Sequence, residues 1–402
     1  MPRPGWRKPA SDRRLSDLVS VGVLTRTFPP ALVDEVVARC QRTEQRSRAL
    51  PARAMTYFSI GMALHSEGSY EDVLGLLTDG LAWSTDGEPM APPSKSAIFQ
   101  ARARLGSEPL QALFAEVAAP LANETTPGAF LGGRRLLAID GTCLDVADTA
   151  ENARHFGRPG VNKGEQAAFP QARVAAVAEC GTHAMVDAAV GPYTTAENTL
   201  AVELTGRLAP GTLVLADRGF CGFPLWSTAA ATGADLLWRA KSTMRPRFVE
   251  ALSDGSWLAE LRPSGNPGRS AEPLVVRVID YELDDGRDND EQYRLLTTIL
   301  DPDDVSAADL AVAYAERWEI ESAFDELKTH QRGRRTVLRS KSPALVLQEI
   351  WGHLCCHYAI RTLMWEAADH KGVDPDRVSF VAALRIARRS IPVARDFSPS
   401  GQ

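Results

Sequence analysis

The sequence is short of several features that would have placed it quickly. Nowhere in its 402 residues is there a run of about 18 apolar residues, so no membrane-spanning helix is expected. The opening stretch, Met1-Pro2-Arg3-Pro4-Gly5-Trp6-Arg7-Lys8, lacks the apolar segment of a secretory signal, and a cytosolic protein is expected. Six cysteines (Cys40, Cys143, Cys180, Cys221, Cys355, Cys356) are scattered without paired spacing, which predicts reduced thiols and no disulfides. Internal repeats and low-complexity segments are missing as well. Positive charge is in deficit, 45 Lys and Arg against 51 Asp and Glu for a net charge of −6, which argues against a uniformly basic nucleic-acid coat.

Charge is present locally, however. Residues 1–54 carry eleven Arg or Lys against five acids, Lys328 to Lys341 carries six and none, and Arg377 to Arg395 five and none. Asp280 to Asp309 holds eleven acids against two arginines and pulls the whole chain below neutrality. Three basic patches are what a phosphate backbone would need, although solubilising surface has the same composition. A hydrophobic fraction of 44% is enough for a sizeable core divided among two or three structural units.

Along the chain, residues 1–125 read as helical, with apolar positions at helical spacing in Ala31 to Arg39, Ala54 to Leu64 and Tyr70 to Leu77. Pro92-Pro93-Ser94 is a helix start and Gly106 a stop, giving a helix whose Lys95, Arg102 and Arg104 resemble a DNA-reading face. After Pro127 the pattern turns to strands. Arg135 to Asp140 is an apolar run ending in a carboxylate, Ala172 to Val190 a hairpin, and Thr195 to Leu208 a helix. Thr212 to Asp217 repeats the apolar run ending in Asp. Such runs suit strands buried on both faces, with both acids at strand ends, where open α/β sheets place their sites. Strand-rich sequence from Lys241 to Leu300 looks like an insertion, and a helix with Ser306 and Asp309 at its start is expected to run to about Gln331.

That last helix carries Tyr314, Arg317, Trp318, Glu321 and Lys328. At about 100° per residue, Arg317, Glu321 and Lys328 fall within roughly 60° of Tyr314, so one face would offer an acid and two cations. A metal ion beside a phosphate suits that combination, since a carboxylate holds the cation and Arg and Lys hold phosphate oxygens. With Asp140 and Asp217 the acids become three, enough for two ions about 3.5 to 4 Å apart in an in-line phosphoryl displacement. Taken alone, a strand-end Asp is more often a cap or turn residue and a helix-face Glu a solvated charge; only the combination points to a site.

Ala138-Ile139-Asp140-Gly141-Thr142, Leu215-Ala216-Asp217-Arg218-Gly219-Phe220 and the Tyr314, Arg317, Glu321, Lys328 signature together resemble the three motifs of DDE transposases of the insertion sequence 4 family. Leu50 to Arg53 and Ser94 to Gly106 are similar to that family's amino-terminal domain, and Phe156 to Pro159 and Phe169 to Gln171 to its catalytic core. The resemblance implies an α/β fold: an RNase H-like core at 126–240 and 301–345, a β-rich insertion at 241–300, a helical DNA-binding domain at 1–125 and a helical region at 346–402. It implies Asp140, Asp217 and Glu321 as ligands of two Mg²⁺ or Mn²⁺ ions, and Tyr314, Arg317 and Lys328 as phosphate contacts. Trp318 would pack on a displaced base. The implied activity is cleavage of double-stranded DNA at terminal inverted repeats and joining of the freed 3′-hydroxyl to target DNA, by a homodimer that is nucleoid-associated when on DNA. Two alternatives remain open at this level: an RNase H-like nuclease without strand transfer, and a cleavage-inactive relic that binds DNA as a regulator.

His353-Leu354-Cys355-Cys356-His357 has metal-ligand residue types but lies in an apolar helical run, and core packing is expected. Trp238 and Trp257 are expected to pack, and Asp145, Asp148 and Glu197 are left as surface or supporting acids.

Overall fold

Helices fill the amino-terminal part of the computed structural model, which describes residues 6–7, 23–45, 50–79, 89–90, 93–160, 167–263, 272–282, 292–333 and 337–393. They are α1 (Val23–Thr27), α2 (Pro30–Arg39), α3 (Ala52–Leu64), α4 (Tyr70–Asp79), α5 (Lys95–Leu105) and α6 (Glu108–Val117), beside a two-residue ladder of β1 (Trp6–Arg7) and β2 (Pro89–Met90). Local chemistry sets the ends of α5: Ser94 Oγ accepts the Ala97 N–H at 3.2 Å, and Gly106 leaves the helix at φ +74°. Nearly every residue of α3 is buried, because it lies against a second buried helix near the end of the chain.

A mixed sheet follows. Its strands are β3 (Phe130–Leu131), β4 (Arg134–Val146), β5 (Gln171–Glu179), β6 (Met185–Pro192), β7 (Thr212–Ala216), β8 (Asp235–Arg239), β9 (Arg247–Ala251), β10 (Trp257–Leu261), β11 (Leu274–Glu282), β12 (Gln292–Thr297) and β13 (Val337–Leu338). The main order is β6-β5-β4-β7-β8-β12-β11-β10-β9, with β3 and β13 also pairing β4. Strand β4 pairs antiparallel with β5 but parallel with β7, which in turn runs parallel to β8. The antiparallel hairpin on one side of β4 and parallel strands on the other make the RNase H-like core that the resemblance led one to expect. The buried runs Leu136 to Ile139 and Leu213 to Ala216 are what central strands covered on both faces require.

Helices α7 (Ala150–Phe156), α8 (Glu197–Leu204) and α9 (Phe223–Ala230) connect the strands, with α8 packed on β5 and β6. Then come α10 (Ala307–Ala315), α11 (Trp318–Asp325), a π-helical turn Glu326–Gln331, the 29-residue α12 (Pro343–Lys371), a 3₁₀ turn Pro375–Arg377 and α13 (Phe380–Val393). Helix α12 is buried over most of its length and packs against α3, α6 and α13, so the amino-terminal helices share one core with the carboxyl-terminal ones.

The strand-rich stretch between 241 and 300 continues the same sheet, β12 pairing antiparallel with β8 and carrying β11, β10 and β9 outward. Two expectations need correction. Strand β4 does not stop at Asp140 but continues to Val146, because Gly141 to Asp145 keep their ladder with Ala175 to Gln171. Tyr314 to Lys328 is not one regular helix, since three-residue hydrogen bonds (Glu316 N to Ala313 O, 3.0 Å; Arg317 N to Tyr314 O, 3.2 Å) tighten the α10–α11 joint and a π-turn widens the far end. Much of the basic patch in 1–54, part of the acidic stretch (283–291) and residues 334–336 of the second basic patch lie outside the described residues.

Candidate active site

The sheet register brings the first two acids together. Ile139 on β4 pairs in parallel with Ala216 on β7, so the next residues, Asp140 and Asp217, stand side by side at one level of adjacent strands. Each carboxylate is steadied by a nearby backbone amide: Gly141 N–H donates to Asp140 Oδ1 at 2.7 Å, and Gly219 N–H to Asp217 Oδ1 at 2.6 Å. Asp140 is 19% exposed, and burial pushes its carboxyl up to about 6, while the Gly141 amide and Arg317 pull the other way and the neighbouring acids Asp217 and Glu197 add to the rise.

The signature residues reach the same two strands despite the irregular helix. Tyr314 is buried at the end of α10 and donates its hydroxyl to Ala216 O at 3.3 Å, one residue before Asp217; burial holds its phenol well above the usual range. Arg317 caps α11 and is 8% exposed. Its Nη1 lies 3.0 Å from Glu321 Oε1 and 3.7 Å from Asp140 Oδ2. Burial works against the guanidinium charge, yet facing Tyr314, Glu321 and Asp140 raise its pKa. Lys328, re-aimed by the π-turn, donates to Thr142 Oγ1 at 3.0 Å, two residues beyond Asp140 on β4. Trp318 is 59% exposed, with the Arg317 guanidinium carbon 4.7 Å from its ring centroid.

The donor set is all oxygen, which suits a hard divalent ion such as Mg²⁺. Among the described residues the three carboxylates do not gather within 4.8 Å of one another; Arg317 stands between two of them as a cation of the protein's own. Glu321 keeps 43% of its side chain exposed and is free to turn toward a ligand. The Nε of Arg317 is buried without a hydrogen-bond partner, a donor left open for an anion at the same spot.

A fourth acid joins them. An ideal Cβ on Gly141 would come within 1.8 Å of Glu197 Oε1, so the Glu197 carboxylate lies directly over the residue after Asp140. Its pKa is raised by burial, with Arg173 opposing and Asp217 adding. Sequence reasoning left Glu197 aside because a Glu opening a helix is ordinary; the signal that could have found it was its neighbour across space, a glycine following a strand acid.

The three expected DNA contacts on α5 separate. Arg102 is corrected: it is fully buried, donating Nε to Gln348 Oε1 (2.8 Å), Nη1 to Tyr70 OH (2.7 Å) and Nη2 to Ser340 Oγ (3.2 Å). A helix with apolar Ile98, Ala101 and Leu105 must bury the face that Arg102 shares, and its donors are used up inside. Lys95, with Glu71 at 3.7 Å, and Arg104 are both exposed. His353, Cys355, Cys356 and His357 are buried in α12, as core packing requires, and Trp238 is buried against Trp226. Trp257 is half-buried, tilted against Phe248 at 5.8 Å. Asp145 accepts from Gln171 Nε2 at 2.8 Å and Asp148 pairs with Arg158.

Two family models match most of the chain. Residues 18–115 match the family described as insertion element 4 transposase N-terminal, and residues 131–359 the transposase DDE domain. Over 373 residues the chain is 30% identical to transposase InsG for insertion sequence element IS4 of Escherichia coli (strain K12), spanning 92% of this chain and 83% of that protein. It is also 30% identical over 259 residues to putative transposase InsZ of the same organism, spanning 64% of this chain and 81% of the relative. Among solved structures it is similar to a piggyBac transposase synaptic complex with hairpin DNA, with a TM-score of 0.46 and 10% identity over 93% of this chain and 80% of that one.

Proposed function

Because the chain belongs to the insertion sequence 4 family of DDE transposases, we propose that it cuts double-stranded DNA at the inverted repeats bounding its element and joins the freed 3′-hydroxyl ends to target DNA, acting as a homodimer. The observation that carries this reading is the registered pair Asp140 and Asp217 with Arg317 tying Glu321 to the same point. Asp140, Asp217 and Glu321 would hold two Mg²⁺ or Mn²⁺ ions, which when bound activate the attacking oxygen and stabilise the leaving one.

The remaining roles follow from the side chains. Arg317, with its open Nε, takes a phosphate oxygen once Glu321 turns away, and Lys328, which donates to the Thr142 hydroxyl, takes a second. Tyr314 fixes the height of the helix over β7 through Ala216 and so fixes where Arg317 points. Trp318 offers an exposed ring for a base drawn out of the duplex. Lys95 and Arg104 on α5 contact the backbone further along the same DNA. Glu197 supports the acids from above Gly141.

The test is incubation of the purified full chain with DNA carrying the element's ends and Mg²⁺. End-specific nicks followed by joined products are expected, and Glu321→Gln should abolish both while leaving DNA binding intact. Cleavage that continues unchanged in Glu321→Gln would overturn the assignment, and cutting without any joined product would reduce the protein to a nuclease.

A further inference from the structure

A second constellation stands behind the signature helix, apart from the three acids described above. His183, in the link between β5 and β6, is 6% exposed and holds φ +54°. Its Nε2 meets Glu319 Oε2 of α11 and lies 3.1 Å from Asp376 Oδ1 in the 3₁₀ turn before α13. The three donor atoms lie within 4.8 Å of one another, the only such group among the described residues.

The protonation chemistry of the ring makes this more than a salt bridge. On its other edge, His183 Nδ1 meets Arg361 Nη2, a guanidinium that can only donate. Glu326 Oε1 lies 3.8 Å from Nδ1 and accepts from Arg361 Nη2, while Arg361 Nε donates to Glu326 Oε2 at 2.8 Å. Burial and Arg361 oppose charging the ring, yet the carboxylates of Asp376, Glu319 and Glu326 raise its pKa to about 10, so an ion at Nε2 must displace a proton. Nε2 faces two carboxylates, and that atom, buried, makes no hydrogen bond of acceptable direction with either. A buried nitrogen aimed between two carboxylate oxygens is the arrangement of a metal ligand with its partners.

We propose that His183 Nε2, Glu319 and Asp376 form a divalent-metal site separate from the catalytic acids, taking Zn²⁺ in preference to Mg²⁺. One imidazole nitrogen with two carboxylate oxygens is a borderline donor set, whereas Asp140, Asp217 and Glu321 offer oxygen alone. The site opens on a cleft of about 550 Å³ that Trp318 and Glu321 also line, which gives the ion a way in and leaves room for water to complete its coordination. An ion there ties the β5–β6 link and the turn before α13 to α11, two residues from Glu321, and so braces the helix that carries the catalytic acid.

The experiment uses the full chain, stripped with a chelator and titrated with ZnCl₂ in excess Mg²⁺, with calorimetry and thermal unfolding as readouts. The double variant Asp140→Asn/Glu321→Gln should still take up about one Zn²⁺ and gain thermal stability from it. Asp376→Asn, at a partly exposed turn position, should weaken that uptake by at least roughly tenfold, as should His183→Gln. Failure of the double variant to bind Zn²⁺, or wild-type affinity in Asp376→Asn, would overturn the site. Neither result depends on DNA cleavage, so the outcome is separate from that of the proposed activity.

Discussion

Arg317 Nη1 lies 3.0 Å from Glu321 Oε1 on its own helix and 3.7 Å from Asp140 Oδ2 on the sheet, so one buried guanidinium neutralises acids from two different elements. The same charge opposes any metal ion the acids would bind. Arg317→Ala should therefore tighten Mn²⁺ binding by about tenfold, or ~1.4 kcal/mol, a screened fraction of the Coulomb energy at this range. DNA-end cleavage should fall by at least the same factor, because the phosphate loses its clamp. Calorimetry with Mn²⁺ and a nicking assay separate the two effects. Weaker Mn²⁺ binding in the variant would mean instead that Arg317 holds the acids in place for the metal.

Asp140 sets a pH dependence. Burial raises its carboxyl from 3.8 to about 6, so the folded, metal-free protein binds this proton more tightly than the unfolded chain does. The stability it contributes is fully present below pH 3.8 and is lost as pH rises through about 6. At pH 8 the ionised group is a net cost to the metal-free fold, and Asp140→Asn should raise the melting temperature there while abolishing cleavage. In the wild type, metal-dependent cleavage should decline as pH falls through about 6 and recover partly with more metal, since proton and metal compete for one carboxylate. A melting temperature lowered by Asp140→Asn at pH 8 would contradict the burial argument.

Arg102 should behave as a structural residue. It joins Tyr70, Ser340 and Gln348, tying α5 to the start of α12. Arg102→Met fills similar volume but strips these partners of their donor and should destabilise the fold by about 2–4 kcal/mol, read from the urea midpoint. DNA affinity of the molecules that remain folded should be unchanged. A loss of affinity without loss of stability would return Arg102 to the DNA surface.

The parts of the site legible in sequence are those fixed by short-range patterns. The apolar runs before Asp140 and Asp217 identify buried strands, and β-sheet register then forces the acids together. Spacing alone predicted one face for Tyr314, Arg317, Glu321 and Lys328; they do converge, but through a tightened joint and a π-turn that residue period cannot reveal. Arg102 misled because periodicity on a short helix does not say which polar residue shares the buried face. The placement of Glu197 and the whole His183 cluster were not legible for another reason: their partners are distant in sequence, Glu197 beside Gly141 and His183 beside Glu319 and Asp376.

Lys95 and Arg104 carry the remaining expectation for the amino-terminal helices. Both are exposed on α5, and Lys95 pairs with Glu71 at 3.7 Å with 73% of its own side chain in solvent, a pair too weak to compete with a phosphate. Each phosphate contact releases roughly 0.9 counterion, so binding of end DNA measured from low to moderate salt should give a log–log slope that falls by about 1 for Lys95→Ala and again for Arg104→Ala. Affinity should drop about equally for end DNA and unrelated DNA, since a backbone contact carries no sequence information. A drop confined to end DNA would make α5 a base-reading helix, and an unchanged slope in both variants would remove it from the DNA path.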